Sequence, residues 1–368
     1  MSCDFLALAN SGVQSLQPYQ AGKPTSELER ELGIRNIVKL ASNENPLGIS
    51  NRVKQLLCDE LDELSRYPDS NGFYLKTALA QKLTAKAEQI TLGNGSNDVL
   101  ELIARAFVSE QHEVIFSEHA FVVYPLVTKA IGATAVQVPA KDYGHDLDAM
   151  AAAITERTRL IFIANPNNPT GTFLTSSELK HFLDKVPEHV LVVLDEAYYE
   201  YVDKAERAPS IAWLNHYPNL IVSRTFSKAY GLAGLRVGYA VSNADIADVL
   251  NRVRQPFNCN SLALAAAELV LDDADYLTAS VEINRVGMIQ LTERFDELGL
   301  DYIPSKANFV TVDVGRNGAE VYQALLQEGV IVRPIGGYGL PNHLRVSVGL
   351  ENENQRFLEA LCKVLALK

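Results

Sequence analysis

The sequence predicts an α/β fold: a larger lobe built on a mostly parallel sheet covered by helices, and a smaller α+β lobe. Three observations predict it. The middle of the chain alternates short β-branched runs with helical periodicity, as strands joined by crossover helices do. The candidate strands span four to six residues and are largely apolar, as in sheets buried on both faces. At 368 residues the chain is longer than one hydrophobic core supports, which is roughly 250–300 residues.

Taken in order, residues 1–45 have weak periodicity and are expected to form an arm and a strand packed on the smaller lobe. Residues 46–265 are expected to form the large lobe. Its first clear element is a helix over 94–107, entered through Gly93 and Gly95, with Val99, Leu100, Leu102, Ile103, Ala106 and Phe107 on one face. A strand at 113–116, a helix at 121–131 and a strand at 134–138 follow. Further buried parallel strands are expected at 159–163, 190–194, 219–223 and 237–241. Residues 266–368 form the smaller lobe, with helical patterns at about 261–298 and 318–328 and strands at 309–312, 330–333 and 344–348.

Composition narrows the functional classes. Apolar residues make up 47% and charged residues 21%, which excludes wholesale disorder. Cys3, Cys58, Cys259 and Cys362 form no CxxC pair, which fits a reducing compartment and gives no zinc or disulfide framework. No HxxxH pair occurs, and no metal site is expected. The N-terminal MSCDFLALANSG carries an acid where a signal peptide has basic residues. No run reaches the ~18 apolar residues of a membrane helix, and Leu262 to Leu271 is interrupted by Glu268. A cytoplasmic protein is expected. The net charge of −12 disfavours nucleic acid, and an anionic substrate would need local arginines to overcome it.

Three polar residues follow three predicted strands: Asn168 in NPNNPTG, Asp195 after 190–194, and Lys228 after 219–223. Ligands of open α/β sheets sit beyond the carboxyl ends of the strands, so the three can face one pocket. Asp195, flanked by Val192, Val193, Leu194 and Ala197, is costly to bury unpaired. It reads either as the partner of a protonated ring nitrogen or as a strand-end cap. Lys228 sits among Thr225, Ser227 and Ala229, ahead of Gly231, Gly234 and Arg236; partial burial there would lower its pKa and make it a nucleophile. GNGSND opens the 94–107 helix, whose free N–H groups favour an anion. The helix dipole adds only about 0.3–1 kcal/mol when exposed and up to ~2 when partly buried, so a phosphate also needs Arg236, Thr225 and Ser227. A plain helix cap by Asn94 or Ser96 is the alternative. GNGSND matches neither GxGxxG nor GxxxxGK[ST].

The ordered segments ASNENPLG, RYPD, GNGSND, NPNNPTG, LDEAYYEY, SRTFSKAYGLAGLRVGY, RQPFN and GYGLPNHLRVSVG resemble the fold-type-I pyridoxal-phosphate aminotransferases, most closely the histidinol-phosphate aminotransferases. The resemblance covers nearly the whole chain and implies a seven-stranded-type sheet in the large lobe. It implies that Lys228 holds pyridoxal 5'-phosphate as a Schiff base and that Asp195 pairs with the pyridine nitrogen. Asn168 and Tyr198 would bond the cofactor's phenolic oxygen, and Phe121 would stack on its ring. Arg236, Thr225, Ser227 and the backbone of Gly95, Ser96 and Asn97 would hold its phosphate. Asn97 departs from the acid common in the family, which leaves the backbone role intact and weakens a side-chain one. Tyr67 would reach the phosphate bound in a second subunit, implying a homodimer. Arg345 would bind a substrate carboxylate with its planar fork. Arg333, helped by Tyr19, would bind a substrate phosphate. Asn43 lines the pocket or caps a turn.

The activity so implied is ping-pong transamination of L-histidinol phosphate with 2-oxoglutarate, in histidine biosynthesis. The same scaffold also suits threonine-phosphate decarboxylases and aromatic amino-acid aminotransferases. A cofactor-sensing regulator would need a basic DNA-binding segment, which this chain lacks.

Overall fold

Apolar runs along the chain fold into three sheets. A computed structural model describes residues 3–18 and 22–367. Its strands are β1 (Val38–Lys39), β2 (Ile90–Gly93), β3 (Glu113–Ser117), β4 (Thr134–Val138), β5 (Thr158–Ala164), β6 (Leu191–Asp195), β7 (Leu220–Thr225), β8 (Gly238–Val241), β9 (Tyr302–Ile303), β10 (Phe309–Asp313), β11 (Val330–Ile331), β12 (Arg333–Pro334) and β13 (His343–Ser347). The large lobe carries a seven-stranded sheet in the order β2-β8-β7-β6-β5-β3-β4.

Alternation along the central strands sends side chains to opposite faces. Ile115, Ile161, Ile163, Val192 and Val222 face one core, closed by the Phe73–Leu83, Ser176–Leu183 and Ser261–Leu271 helices. Val114, Phe116, Phe162, Val193 and Ile221 face the other, closed by the Ser96–Phe107, Val123–Ile131 and Ala244–Val253 helices. Fully burying side chains of this kind contributes about 1.5–3 kcal/mol each, which is why the strands need almost no polar residue before their ends.

The structure corrects several expectations. The strand expected at 237–241 as a parallel one runs antiparallel to both β7 and β2. The glycine-bearing segment between β7 and β8 contains no crossover helix, and parallel neighbours need one. β4 lies at the sheet edge and is largely exposed, not buried. The 330–333 run divides: β11 pairs with β1, whereas β12 joins β13, with Pro334 unable to continue a ladder as a donor. The 261–298 helical pattern breaks into Ser261–Leu271 and Ala274–Leu298, the second capped by Asp273 through the Tyr276 N–H. β2 and β9 are additional strands.

The smaller lobe is an antiparallel sheet in the order β12-β13-β10-β9, covered by the Ala274–Leu298, Gly318–Gln327 and Glu351–Leu365 helices. Leu291, Phe295, Val310, Val312, Leu344 and Phe357 form its core. The Ala274–Leu298 helix ties the lobes together: Tyr276 and Leu277 pack on the large core, Leu291 and Phe295 in the small one. The N-terminal segment divides between them. The Thr25–Leu32 helix packs Leu28 against Leu326 and Ile331 of the small lobe. The Ser11–Gln14 turn of helix instead lies on the Val123–Ile131 helix of the large lobe, where Gly12 has no room for a side chain against the Lys129 carbonyl.

Candidate active site

One cavity opens where the carboxyl edge of the large sheet meets the smaller lobe. Because β8 is reversed, Arg236 just before it reaches the same edge as the residues that follow β5, β6 and β7. Asn168, Asp195, Tyr198 and Lys228 all line this cavity, with Phe121 on its wall. Phe121 lies in the turn ahead of the Val123–Ile131 helix, not inside the expected 121–131 helix.

Asp195 ends β6 and is 4% exposed. Its Oδ2 accepts a hydrogen bond of 2.8 Å from the Tyr124 hydroxyl. Its Oδ1 has no hydrogen-bond partner among the described residues. Burial pushes the carboxyl up to about 6, against the pull of the Tyr124 hydroxyl and the Ala197 amide. A buried carboxylate with one vacant oxygen facing a cavity suits a cationic N–H.

Lys228 is partly open to the cavity and donates from Nζ to the Ser42 carbonyl at 3.2 Å. Burial pushes its amine down to about 7, with Arg345 and Arg236 adding repulsion and Glu44 opposing them. An amine so placed is substantially neutral near neutral pH, as a nucleophile or proton acceptor must be.

A buried hydrogen-bond chain crosses from the large lobe to the small one. The Tyr198 hydroxyl accepts from Asn43 Nδ2 at 2.9 Å and from Asn168 Nδ2 at 3.2 Å, and burial pushes its phenol up to about 12. Asn168 Oδ1 accepts from Arg345 at 2.6 Å, and a second Arg345 nitrogen donates to the Ala41 carbonyl at 2.7 Å. The expected open fork of Arg345 is thus already engaged in part. Asn43 is held in the left-handed region (φ 53°) by Ser347, which accepts from its N–H at 2.8 Å and donates to its Oδ1 at 2.9 Å.

The anion cradle forms at the start of the Ser96–Phe107 helix. Its N-cap is Gly95, with φ of 85°, and no side chain caps its first amides; the Asn94 N–H is instead bonded to Asp98 at 2.8 Å. A Cβ at Gly95 would collide with the Arg236 guanidinium, so glycine lets the arginine close on the helix end. Arg236 donates to Ser227 Oγ at 3.3 Å, and the Ser227 N–H donates to Thr225 Oγ1 at 3.1 Å. Both hydroxyls accept these bonds and keep their own O–H for an anion. Ser96 and Asn97 complete the cavity wall there.

On the small-lobe side the cavity is lined by Asn43, Arg333 and Arg345. Tyr67 is not among its walls: it is 81% exposed and stacks on Phe257 at 4.6 Å. Tyr19 lies outside the described residues. Sequence reasoning missed Tyr124, Ser42 and Tyr338, the last two also lining residues. For Tyr124 the only available signal was its place three residues after Phe121 in AFVVY. Among the described residues no group of three His, Cys, Asp or Glu side chains is placed to hold a metal ion.

The family described as aminotransferase class I and II matches residues 35–361. The chain is 67% identical over 359 residues to histidinol-phosphate aminotransferase 1 of Idiomarina loihiensis, with 98% of each chain covered. It is 62% identical over 364 residues to histidinol-phosphate aminotransferase 1 of Mannheimia succiniciproducens, covering 99% of this chain and 100% of that one. The crystal structure of histidinol-phosphate aminotransferase from Sinorhizobium meliloti in complex with pyridoxal-5'-phosphate is similar, with a TM-score of 0.89, 30% identity and 97% of both chains covered.

Proposed function

The chain belongs to the class I and II aminotransferase family, and on that basis we propose that it transfers the amino group of L-histidinol phosphate to 2-oxoglutarate, giving imidazole acetol phosphate and glutamate in histidine biosynthesis. The observation that carries the reading is that one cavity is lined by both a lysine whose amine burial pushes down to about 7 and a buried carboxylate with one unbonded oxygen. When bound, pyridoxal 5'-phosphate supplies the carbonyl that takes the amino group and the ring that stores the electrons of the broken C–H bond.

The residues divide the work. Asp195 Oδ1 would accept the ring N–H and keep that nitrogen charged. Asn168 and Tyr198 would bond the phenolic oxygen, and Phe121 would cover the ring. Arg236, Thr225, Ser227 and the amides at Gly95, Ser96 and Asn97 would hold the phosphate. Lys228 Nζ would hold the cofactor at rest, and when free its near-neutral amine would take the proton from the substrate carbon that bears the amine. Arg345 orients a substrate carboxylate, and Arg333 with Tyr19 binds the phosphate of histidinol phosphate. The two arginines serve the two carboxylates of 2-oxoglutarate and glutamate in the other half of the cycle. Asn43 supports this wall through Tyr198.

The enzyme works as a homodimer in the cytoplasm. Tyr67 is exposed and outside the cavity of its own chain, from where it would reach the phosphate held by a second copy; Phe73, Tyr74, Leu61 and Leu64, close to it in sequence, are also exposed apolar side chains. Free cysteines fit a reducing compartment. Among the described residues no helix is long and apolar enough to cross a membrane.

The test is a substrate panel followed by glutamate formation. Histidinol phosphate with 2-oxoglutarate is expected to give the highest kcat/KM. Carbon dioxide release from threonine phosphate without glutamate, or a clear preference for phenylalanine, would overturn the substrate assignment.

A further inference from the structure

A single hydroxyl occupies one oxygen of the buried acid and leaves the other vacant. Tyr124 is fully buried, and its ring stacks on Phe162 of β5 at 4.4 Å with an interplanar angle of 1°. Phe121 meets the same ring edge-on at 5.8 Å, and the Tyr124 N–H bonds the Phe121 carbonyl at 3.0 Å. The phenol so held reaches the end of β6, where Ala164 of β5 pairs with Asp195.

We propose that Tyr124 is a positioning residue for amino transfer: its O–H occupies Asp195 Oδ2, so that Oδ1 is presented to the cofactor's ring nitrogen and the shared proton stays on that nitrogen. The inference rests on the cofactor reading above. Donation to the carboxylate stabilises its charge and lowers its basicity. Without the donor, a carboxyl that burial already raises would hold a proton at higher pH and meet the ring nitrogen as an acid, not as an anion. The groups that act on Asp195 are Tyr124 from the Val123–Ile131 helix, and the Ala197 amide, Glu196 and Tyr198 from the turn after β6. Glu196 is itself paired with Arg224 at 2.8 Å, and Tyr124 is the side-chain hydrogen-bond donor to the carboxylate among the described residues, beside the weaker pull of the Ala197 amide.

A buried tyrosine whose hydroxyl merely needs an acceptor would make the same contact. Cofactor binding by the apoprotein separates the two roles. Affinity for pyridoxal 5'-phosphate is measured from about pH 5.5 to 8.5 for the wild type, for Tyr124→Phe, and for protein with 3-fluorotyrosine incorporated at position 124 alone. Tyr124→Phe is expected to weaken binding about tenfold at neutral pH, the loss of a hydrogen bond to a charged group. It should also move the acid limb of the affinity profile to higher pH, and shift the 15N resonance of the ring nitrogen towards its unprotonated position. Fluorination strengthens the phenol as a donor and is expected to move the acid limb the opposite way. A folded Tyr124→Phe protein with wild-type affinity, acid limb and 15N shift overturns the inference, whatever its melting temperature. Should that variant fail to fold, an unmoved acid limb in the fluorinated protein overturns it as well. Wild-type protein that takes up no cofactor overturns the reading of the site and this inference together.

Discussion

The two halves of the cavity are held in different ways. On the large-lobe side the functional groups stand at strand ends and are braced from within the same lobe: Asp195 by Tyr124, Ser227 by Arg236, and Arg236 by the space at Gly95. On the small-lobe side they are braced across the seam. Arg345 on β13 bonds Asn168, Asn43 bonds both Tyr198 and Ser347, and Thr311 on β10 donates to the Pro169 carbonyl at 2.6 Å. Asp195 and the anion cradle are thus arranged within the large lobe, whereas Arg345 and Asn43, together with Asn168 and Tyr198 that they bond, depend on how the lobes dock. Substitutions in the first set should act on the cofactor and on kcat. Those in the second should act on KM and on docking.

The largest effect should come from Lys228→Ala. Turnover is expected to fall at least about 10⁴-fold, the upper range for one acid–base group, together with loss of the covalently bound cofactor's visible absorbance. Retention of normal turnover would break the large-lobe side of the contrast at its centre. Asp195→Asn comes next, with kcat expected to drop by roughly 10²–10³, as for removal of a single electrostatic partner in a water-poor site. Single-turnover kinetics near the wild-type rate would remove the ring-nitrogen role.

Arg345→Lys tests the other side. A lysine cannot present two parallel donors, so kcat/KM is expected to fall about 10- to 100-fold, mainly through KM, with cofactor affinity little changed. A loss confined to kcat would place Arg345 with the cofactor half instead. The pH profile sharpens the comparison further. Burial raises Asp195 to about 6 and lowers Lys228 to about 7, so the pair reaches carboxylate and neutral amine only as pH rises through that window. Uptake of cofactor by the apoprotein should therefore accelerate between about pH 6 and 8. A stopped-flow rate that is flat or falls over that range contradicts the electrostatics. The smallest effect is expected for Thr311→Val, which leaves the Pro169 carbonyl without its inter-lobe donor at a cost of about 1–3 kcal/mol. The lower melting temperature should accompany a modest rise in KM, and an unchanged value would mean that the seam does not rely on this bond.

Much of the fold was legible because buried strands declare themselves. The runs ending at Leu194 and Ser223 contain little besides Val, Ile and Leu, and no partially exposed element tolerates that composition. These runs and the one at 159–163 place Asp195, Lys228 and Asn168 at or just beyond strand ends, which is where the cavity lies. Direction was not legible. The VGYAV run suits a strand of either sense, and only the absence of a helix between β7 and β8 decides that β8 turns back and carries Arg236 to the shared edge. The break of 330–333 into two sheets was equally hidden, because neighbouring residues do not reveal which strands they will meet.

From its order of residues alone, this chain determines which segments are buried strands, which turns carry polar groups, and which residues can act as amine, acid and anion donors. These are properties of side chains and local backbone, and they do not depend on what lies across the fold. The tertiary structure alone decided that Tyr124 reaches Asp195 across 71 positions of sequence, that Arg345 is tied to Asn168 across 177, and that Tyr67 faces away from the cavity of its own chain. Each outcome depends on the relative placement of elements far apart in the chain, and packing sets that placement only after the local elements have formed.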